Sequence, residues 1–473
     1  WIVMAQLIET LDKLLWGWPL IIALLGTHIF MTVRTGFVQK ELFQAIRLSV
    51  TKEESADGDV SQFGALTAAL SSTIGTGNII GVGTAITMGG PGAVFWMWIT
   101  GLLGMATKYA ETLIACRYRV RSEDGSMIGG AMYALERGLH MKWLGIVFAL
   151  LASVCAFGIG NMVQANAVSV NIQDNFCISP WIIAAVLAVM TGIVVFGGIQ
   201  SIARLTEKLV PFMAGLYILG CLAILGMNHD TVLQALTVIF KGAFQPQSIA
   251  GGTGGYLLSV TLRYGFARGL FSNESGMGSA PLVASAAKTK NPKRQALVSM
   301  TGTFWDTVVI CLLTGTVLVS CMLKVPGSMN SANGAALSSS AFGMIPVIGK
   351  PVLVFGLITF AFSTILGWYY YGERCAVYLF GERVIPLYKG LWITAVGIGA
   401  MVQIDVVWNL ADLLNGLMAI PNMVAVILLN REIAELTERY SGRHIEDLDM
   451  SEMPVVHNSD QGVLHRLKSN RQN

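Results

Sequence analysis

The sequence predicts an all-α protein that crosses a membrane eleven times. Of its 473 residues, 54% are hydrophobic and only 12% are charged, whereas a soluble domain carries about a quarter charged residues. Apolar runs of roughly 20 residues recur along the chain, and a helix of that length spans about 30 Å of hydrocarbon. These runs do not alternate with polar residues, as the strands of an outer-membrane barrel would. The net charge of +3 is too small and too dispersed to indicate a nucleic-acid partner.

Eleven apolar stretches are long enough to cross the lipid bilayer as helices. They lie near residues 17–34, 62–88, 91–117, 143–171, 179–199, 205–227, 251–284, 295–323, 350–373, 384–404 and 406–430. Two other stretches, 4–15 and 230–245, have the composition of amphipathic surface helices, and we expect disorder after about Gly442. The predicted sections are an N-terminal section (1–61), a first five-helix unit (62–227), a linker helix (228–250), a second five-helix unit (251–430) and a C-terminal tail (431–473).

The cationic residues predict which loops face the cytoplasm. Of the 31 lysines and arginines, about 24 lie in alternate loops and in the tail, whereas the other loops and the N-terminus hold only about four. Because cytoplasmic loops carry an excess of Lys and Arg, the N-terminus is predicted outside and the C-terminus inside. No cleavable signal peptide is visible. Because the sequence begins with Trp1 and not with Met, we expect some N-terminal residues to be missing.

Residues 71–78, Ser-Ser-Thr-Ile-Gly-Thr-Gly-Asn, lie in the middle of the second predicted span. Gly costs about 1 kcal/mol of helix propensity relative to Ala, and Ser, Thr and Asn side chains compete for backbone hydrogen bonds. Within a bilayer, unwound backbone is tolerated only where it is packed in protein or lines a cavity. The stretch therefore predicts a helix that is interrupted at mid-membrane. The alternative is close helix packing through the motif from Gly77 to Gly81.

A second stretch of this kind, residues 265–279, lies in the seventh predicted span and contains four glycines. The two stretches fall in the first helix of each five-helix unit, and an odd number of helices inverts the second unit relative to the first. Interruptions at matching positions of inverted repeats indicate the binding site of a secondary transporter. The glycines from Gly75 to Gly81 do not match a dinucleotide-binding fingerprint, and no Walker A motif occurs, so no nucleotide is expected.

Each break is predicted to expose backbone groups that bind charged ligands. The end of the first half-helix has free carbonyls, and the start of the second has free amides. The amides near Thr76, Gly77 and Asn78 could hold a carboxylate, while the carbonyls could face a cation or an ammonium group. Neutral oxygens suffice for a hard monovalent cation, and Ser363 and Thr364 offer two hydroxyls, unless these only bond to the preceding turn. This pattern fits an α-amino acid together with Na⁺.

Three motifs together resemble the alanine/glycine:cation symporter family. They are S-S-T-I-G-T-G-N-I-I-G-V-G-T-A-I-T-M-G-G-P-G from Ser71, G-L-F-S-N-E-S-G-M-G-S-A-P from Gly269 and F-A-F-S-T-I-L-G-W-Y-Y-Y-G-E from Phe360. The likeness covers residues 17–430. It implies the LeuT fold, a 5+5 inverted repeat with two discontinuous helices, and the extra N-terminal helix before this repeat matches the layout of the family. It also implies sodium-coupled import of small neutral amino acids across a bacterial-type inner membrane, with no cofactor besides the coupling ion.

The resemblance further implies which residues bind the ligands. A sodium ion is expected between carbonyls around Ser71 and Ile74 and the hydroxyls of Ser363 and Thr364. The implied substrate-binding residues are Thr73, Thr76, Gly77, Asn78, Gln164, Gly269, Phe271, Met277 and Trp368. The bulky members of this set leave room only for a short side chain, such as that of alanine or glycine. Gln164 and Asn166 could instead hold neighbouring helices together.

Five charged residues inside the predicted spans require an explanation, because ionisable groups are costly in a membrane. Lys108 and Glu111 lie one helical turn apart, and this spacing favours a structural ion pair over a role in transport. Arg268 and Glu274 could pair across the second break as a gate latch, or Glu274 could cap its free amides. Asp306 is either a partnered buried carboxylate or a proton-binding group.

Other classes of function find less support in the sequence. A channel requires a lined pore or repeated filter rings, and an intramembrane enzyme requires a nucleophile beside a base; neither pattern occurs. A carrier of the same fold that is driven by protons through Glu274 or Asp306 is an open alternative. A carrier for a larger amino acid such as glutamine is another.

Overall fold

A computed structural model describes most of the chain. The described residues are 2–51, 56–122, 125–244, 254–325, 334–402, 405–439 and 456–457. Most of them are helical, and seven helical stretches among them are long and apolar enough to cross a membrane. Two shorter apolar helices, Ile80–Gly89 and Pro180–Phe196, add to these. The prediction of an all-α membrane protein is confirmed in this form, whereas the count of eleven spans and the inverted repeat stay predictions.

The helices pack around one extended apolar core. In chain order they are α1 (Ile2–Leu15), α2 (Trp18–Arg34), α3 (Leu42–Val50), α4 (Gln62–Thr73), α5 (Ile80–Gly89), α6 (Ala93–Arg117), α7 (Ala131–Tyr133), α8 (Lys142–Phe157), α9 (Val163–Phe176), α10 (Pro180–Phe196), α11 (Gly198–Met227), α12 (His229–Phe244), α13 (Gly254–Asn273), α14 (Ala280–Ala284), α15 (Pro292–Thr303), α16 (Leu312–Lys324), α17 (Gly334–Gly343), α18 (Gly349–Phe380), α19 (Ile385–Met401), α20 (Asp405–Leu428) and α21 (Asn430–Arg439). Short 3₁₀ segments are Val38–Glu41, Thr76–Asn78 and Glu382–Val384, and π-helical segments are Ala134–Gly138, Gly158–Met162 and Phe304–Cys311. The predicted amphipathic helices at 4–15 and 230–245 correspond to α1 and α12.

Both predicted interruptions are present in the structure. The stretch predicted as the span 62–88 consists of α4 and α5, with residues 74–79 between them. The stretch predicted as the span 251–284 consists of α13 and α14, with residues 274–279 between them; its first three residues lie outside the described part of the chain. The glycine-rich stretches therefore end helices where the sequence indicated that they would.

Several segments that were predicted to be loop or tail contain helices. α3 lies in the predicted loop 34–61, α17 lies between the eighth and ninth predicted spans, and α21 lies in the predicted tail 431–473. In α21, Ile433 and Leu436 are buried although their neighbours are mostly charged. Two apolar residues at this spacing give too weak a pattern to indicate a helix, and the helix gains its stability by packing them against the bundle.

A small three-stranded sheet joins the segment after α6 to the tail. Its central strand β1 (Val120–Arg121) pairs with β2 (Met127–Ile128) in antiparallel and with β3 (Val456–His457) in parallel orientation. β3 belongs to the segment after Gly442 that was predicted to be disordered, so that prediction is wrong at these two residues. The pairing partner is more than 300 positions away, and local composition does not reveal it. The rest of the tail beyond Arg439 lies outside the described residues.

The two interrupted spans are joined at the end of the bundle that is predicted to face the cytoplasm. Residues 57–60, before α4, pair with residues 286–289, after α14, and Lys288 N donates to Val60 O at 2.8 Å. The guanidinium of Arg119, a residue that is only 5% exposed, donates to carbonyls of both segments at 2.9–3.3 Å. The four acceptors are Ser285, Ala287, Asp57 and Thr289. One side chain thus fastens the two segments to each other.

We expect Arg119→Ala to destabilise the protein, because it removes the donor from four carbonyl groups. An unsatisfied buried group costs about 1–3 kcal/mol, so the thermal midpoint of the detergent-solubilised protein should fall by roughly 5–10 °C. The matched control is Arg121→Ala, which removes a partly exposed arginine that pairs with Asp57 at 2.7 Å; its midpoint should change by no more than about 2 °C. Similar midpoints for the two variants would contradict the role given to Arg119.

Candidate functional site

The first break leaves backbone groups of α4 and α5 without partners. After α4 the chain turns through Gly75, whose N–H donates to the Asn78 side-chain oxygen at 2.8 Å, and Asn78 N donates back to Gly75 O at 3.2 Å. Within the described residues, neither the amides of Thr76 and Gly77 nor the carbonyl of Thr73 has a recorded hydrogen bond. The carbonyl of Ile74 also accepts no hydrogen bond within the described residues. Two amide donors and two carbonyl acceptors are therefore free within one turn of chain.

The second break is held open by left-handed backbone. Glu274, Gly276 and Gly278 have φ values of 52°, 87° and 79°, a conformation that is readily accessible to glycine. The carboxylate of Glu111 on α6 accepts hydrogen bonds from the amides of Gly276 and Gly278 at 3.2 and 3.1 Å. The ammonium group of Lys108 donates to the Glu274 carbonyl at 3.0 Å. Both freed ends of this break are thus bound by side chains of α6.

The same two α6 residues form the predicted ion pair. Lys108 Nζ lies 3.2 Å from a carboxylate oxygen of Glu111, and both side chains are buried. Asn422 on α20 adds a bond to Glu111 and one to the Gly276 carbonyl, each at 2.8 Å. The two residues form the structural ion pair that their spacing predicted. This pair stabilises the unwound segment 274–279 as well as α6.

The two proposals for Arg268 and Glu274 are not what the structure shows. Within the described residues the two side chains form no salt bridge, and Arg268 lies beside a separate cavity. The Glu274 carboxylate accepts a hydrogen bond from the Ser279 hydroxyl at 2.6 Å instead of capping the amides. Glu111 caps these amides instead, because the turns from 274 to 279 place them against α6.

Asp306 connects the first break to the end of α13, the helix that leads into the second break. It lies in the π-helical segment Phe304–Cys311, and its carboxylate accepts hydrogen bonds from Asn78 at 2.7 Å, Ser272 at 3.0 Å and Thr307 at 2.7 Å. Asn78 belongs to the first break and Ser272 to the end of α13. Asp306 is fully buried and, among the described residues, forms no salt bridge. It is therefore a partnered carboxylate, and its donors are all neutral.

Of the residues predicted to bind sodium, Ser71, Ser363 and Thr364 lie where α4 and the first break meet α18. The Ser363 hydroxyl is 3.2 Å from the Ser71 carbonyl, and the Thr364 hydroxyl would be 2.9 Å from a Cβ at Gly75. Gly367 permits this approach, because a Cβ there would lie only 2.0 Å from the Ser72 hydroxyl. Both α18 hydroxyls also bond to the Phe360 carbonyl at 2.9 Å, in the manner of ordinary helical serines and threonines.

A central cavity lies between the first break, α13, α18 and the fourth predicted span. Its lining residues are Ser72, Thr73, Gly75, Thr76, Gly77, Ile159, Gln164, Phe271, Ser272, Glu274, Thr364 and Trp368. Gln164 donates to the Ile159 carbonyl at 3.0 Å, and its side-chain oxygen is buried with no recorded partner in the described structure. Trp368 packs against Gly160, where a Cβ would lie 2.1 Å away from it. The cavity therefore has free donors on one wall and a free acceptor on another.

Some predicted ligand residues do not line this cavity. Asn78 is committed to Gly75 and Asp306, Met277 is fully buried, and Gly269 packs against α6, where a Cβ would lie 2.2 Å from the Thr100 hydroxyl. Asn166 donates to the carbonyls of Gly399 and Val402, so this residue holds helices together.

The cavity also contains residues that the sequence did not single out. They are Ser72, Gly75, Ile159 and Ser272. Three of them lie inside the recognised motifs, whereas Ile159 has no signal because apolar residues fill the whole span. The alternative of helix packing through Gly77 and Gly81 finds no support: a Cβ at Gly81 would meet nothing within 4 Å, and one at Gly77 would be 3.6 Å from Phe271.

Comparison with known proteins gives one consistent family. A sequence model described as "Sodium:alanine symporter family" matches residues 1–453. An uncharacterised transporter of Haemophilus influenzae is 46% identical over 444 residues, which are 93% of this chain and 96% of that protein. The sodium/alanine symporter AgcS of Methanococcus maripaludis is 46% identical over 443 residues, 92% of this chain and 97% of that protein. GlnT of Bacillus subtilis, described as "Probable sodium/glutamine symporter", is 34% identical over 446 residues, 93% and 91% of the two chains.

The contacts of Glu111 predict a specific pattern of mutant effects. Glu111→Gln should reduce transport at least 10-fold, because it leaves the buried Lys108 unpaired, and removing one partner of a buried pair costs about 3–5 kcal/mol. Adding Lys108→Met should recover part of that loss, since no uncompensated charge then stays buried. Surface expression and uptake of labelled amino acid in the same cells are the measurements.

Glu432→Gln serves as the control for this series. Glu432 pairs with Arg117 at 3.3 Å, but both side chains are about one-third exposed, so transport should change less than 2-fold. A double variant that is no better than Glu111→Gln would show that the charge balance of this pair is not what supports the break.

Proposed function

Because the chain belongs to the sodium:alanine symporter family, we propose that it imports alanine and glycine together with Na⁺ by alternating access. It is a multi-pass membrane transporter and not an enzyme, since its family and relatives are symporters and carriers. The observation that carries the proposal is the pair of free amides at Thr76 and Gly77 opposite the unpartnered oxygen of Gln164.

The carboxylate of the amino acid is assigned to the first break. The amides of Thr76 and Gly77 open the second half of an interrupted helix, where the backbone dipoles favour an anion. The ammonium group is assigned to the Thr73 carbonyl and the Gln164 side-chain oxygen, because both are acceptors and both residues line the cavity. Phe271 and Trp368 supply the apolar walls and limit the length of the substrate side chain.

The sodium ion is assigned to the junction between α4 and α18. The proposed ligands are the carbonyls of Ser71 and Ile74 and the hydroxyls of Ser363 and Thr364. All four are neutral oxygens, which suit a hard monovalent cation. The ion would exchange the present bond between Ser363 and the Ser71 carbonyl for coordination, and so would fix α18 against the first break. That contact gives a physical route by which sodium favours the amino-acid site.

Transport is proposed to alternate between closure of the two ends of the bundle. In this structure the end with Arg119 is closed, and the other end contains a cavity that reaches Thr76, Gly77 and Phe271. Sodium and substrate together would favour closure of the open end. Movement of the second, third, seventh and eighth predicted spans would then separate the segments that Arg119 joins. Coupling requires that the substrate binds the sodium-loaded form more tightly than the sodium-free form.

Two related functions compete with this proposal, each for a stated reason. Similarity to the GlnT protein favours a larger substrate such as glutamine. The buried Asp306, whose donors are all neutral, favours coupling to protons. Uptake with a panel of amino acids at fixed sodium tests the first alternative, and a pH gradient at fixed sodium tests the second.

The proposed coupling predicts that an inward sodium gradient drives accumulation of labelled alanine in proteoliposomes. Accumulation should collapse when choline replaces sodium outside or when an ionophore equalises sodium. A proton gradient alone should not restore it. Alanine uptake that is indifferent to the sodium gradient would refute the proposed function.

The sodium assignment predicts that Ser363→Ala and Thr364→Ala raise the sodium concentration for half-maximal uptake by roughly 10-fold or more. Hydrogen bonds and contacts to a charged ligand contribute about 1.5–3 kcal/mol. The apparent Km for alanine at saturating sodium should change less than 3-fold. Thr359→Ala is the control, because Thr359 lies on the same helix and its hydroxyl bonds only to the Phe355 and Gly356 carbonyls. Equal effects on sodium and on alanine would contradict the assignment.

A further inference from the structure

The three-stranded sheet lies directly against the closed end of the bundle. Its central strand β1 follows Arg119 in the chain, and Val120 of β1 is only 3% exposed. Just after β2, Gly129 packs so closely on the end of α14 that a Cβ there would collide with the Ser285 hydroxyl. Ser285 is also one of the residues whose carbonyl accepts a hydrogen bond from Arg119. The sheet therefore adjoins the segments that must separate when this end opens.

The hairpin formed by β1 and β2 binds the segment before α4 from both of its strands. Arg121 of β1 pairs with Asp57 at 2.7 Å. The Met127 amide of β2 donates to the Asp59 carboxylate at 3.0 Å. The first contact lies beside the Asp57 carbonyl that accepts a hydrogen bond from Arg119. Movement of this segment away from the closed end therefore breaks contacts on both strands of the hairpin.

The C-terminal tail supplies the third strand of this sheet. β3 pairs in parallel with β1, with Val456 opposite Val120 and His457 opposite Arg121. A two-stranded hairpin is only marginally stable in water, so the added strand stabilises the hairpin in its present position. Residues 440–455 connect β3 to α21. The pairing is therefore intramolecular, and the tether keeps the local concentration of the strand high.

We propose that β3 is an autoinhibitory clamp on the Arg119 end of the bundle. When the tail pairs with β1, it stabilises the closed state of that end; when the tail leaves β1, that end opens more readily. Transport is slowed while the tail is paired, because the inward-facing state must form before the substrate can be released. The inference rests on the proposed function in requiring that this end opens, and it assumes no particular substrate or coupling ion.

Two native cysteines report separately on the two ends of the bundle. Cys116 is 1% exposed, and its Sγ lies 3.8 Å from the Ala284 carbonyl at the end of α14. Separation of α14 from α6 therefore exposes this thiol. Cys321 is also buried, but it lies near the far end of the span that begins at Pro292. Alkylation of both thiols by N-ethylmaleimide is followed by peptide mass spectrometry, in choline medium without sodium or amino acid.

Two truncations of different length test the clamp. Deletion of residues 443–473 removes β3, whereas deletion of residues 461–473 shortens the tail and keeps β3. The rate of alkylation follows the population of the open form, so the longer deletion should raise the rate at Cys116 by roughly 3-fold or more. The shorter deletion should leave that rate unchanged. Addition of a synthetic peptide of residues 443–473 to the longer deletion variant should slow alkylation again.

Substitutions within β3 test the same pairing in a chain of full length. A double variant with Val456→Pro and His457→Pro removes both strand N–H groups, and proline is disfavoured within a sheet. This variant should raise the rate at Cys116 as the longer deletion does. The matched control carries Val456→Thr and His457→Thr, which keep both N–H groups and favour a strand; its rate should not change. This pair of variants keeps the proposal testable if a truncated chain does not fold.

Three results would overturn the proposal. The first is an unchanged rate at Cys116 in the variants that lack β3. The second is an equal increase when only residues 461–473 are removed. The third is an equal increase at Cys321, which would show that the tail stabilises the whole bundle instead of one end. Alanine uptake that is indifferent to sodium would refute the proposed coupling but not the clamp, because alkylation is measured without either ligand.

Discussion

The structure depends on how peptide groups are satisfied where two helices stop inside the membrane. Lipid offers no hydrogen bonds, so each freed N–H and C=O group must find a partner in protein or face a cavity. At the second break, Glu111 binds two amides and Lys108 binds a carbonyl. At the first break, the Asn78 side chain binds one amide, and those of Thr76 and Gly77 stay free beside the central cavity. The freed backbone groups of the second break are therefore occupied by structural contacts, whereas the first break keeps free amides that can bind a ligand.

This difference matches the contrast between the buried ion pair of Lys108 and Glu111 at the second break and the neutral oxygens of Ser71, Ser363 and Thr364 beside the first. The charged pair of Lys108 and Glu111 binds two amides and one carbonyl of the second break. This arrangement suits a segment with a structural role. The junction of Ser71, Ser363 and Thr364 contains only weak, replaceable bonds between neutral groups, which a cation can displace at small cost. Asp306 bonds to Asn78 of the first break and to Ser272 at the end of α13, so one carboxylate joins the first break to the helix that leads into the second.

The sequence predicted the elements that are encoded locally and missed those that depend on distant partners. Clustered glycines and hydroxyl residues inside apolar runs indicated both breaks, and the motif around Ser363 indicated its contact with the first break. The partner of Gly276 lies 165 residues away on another helix, and no local pattern identifies it. The same holds for Arg268, whose spacing from Glu274 suggested a pair, whereas in the structure it lines the same cavity as Asp412. The helices α3, α17 and α21 are short, so tertiary packing determines whether they form.

The two ends of the bundle differ in their interactions, and this bears on how the carrier could alternate. The Arg119 end is held by backbone pairing and four bonds from one guanidinium, all of which must be lost together when that end opens. At the other end, Arg268 and Asp412 line one cavity and form no salt bridge within the described residues, so closure of that cavity would bring them closer together. In the proposed alternation, opening the Arg119 end would lose these bonds while closing the other end would form a charge pair, so the two states could lie within a few kcal/mol of each other. Ligands with modest differential affinity are then sufficient to shift the population.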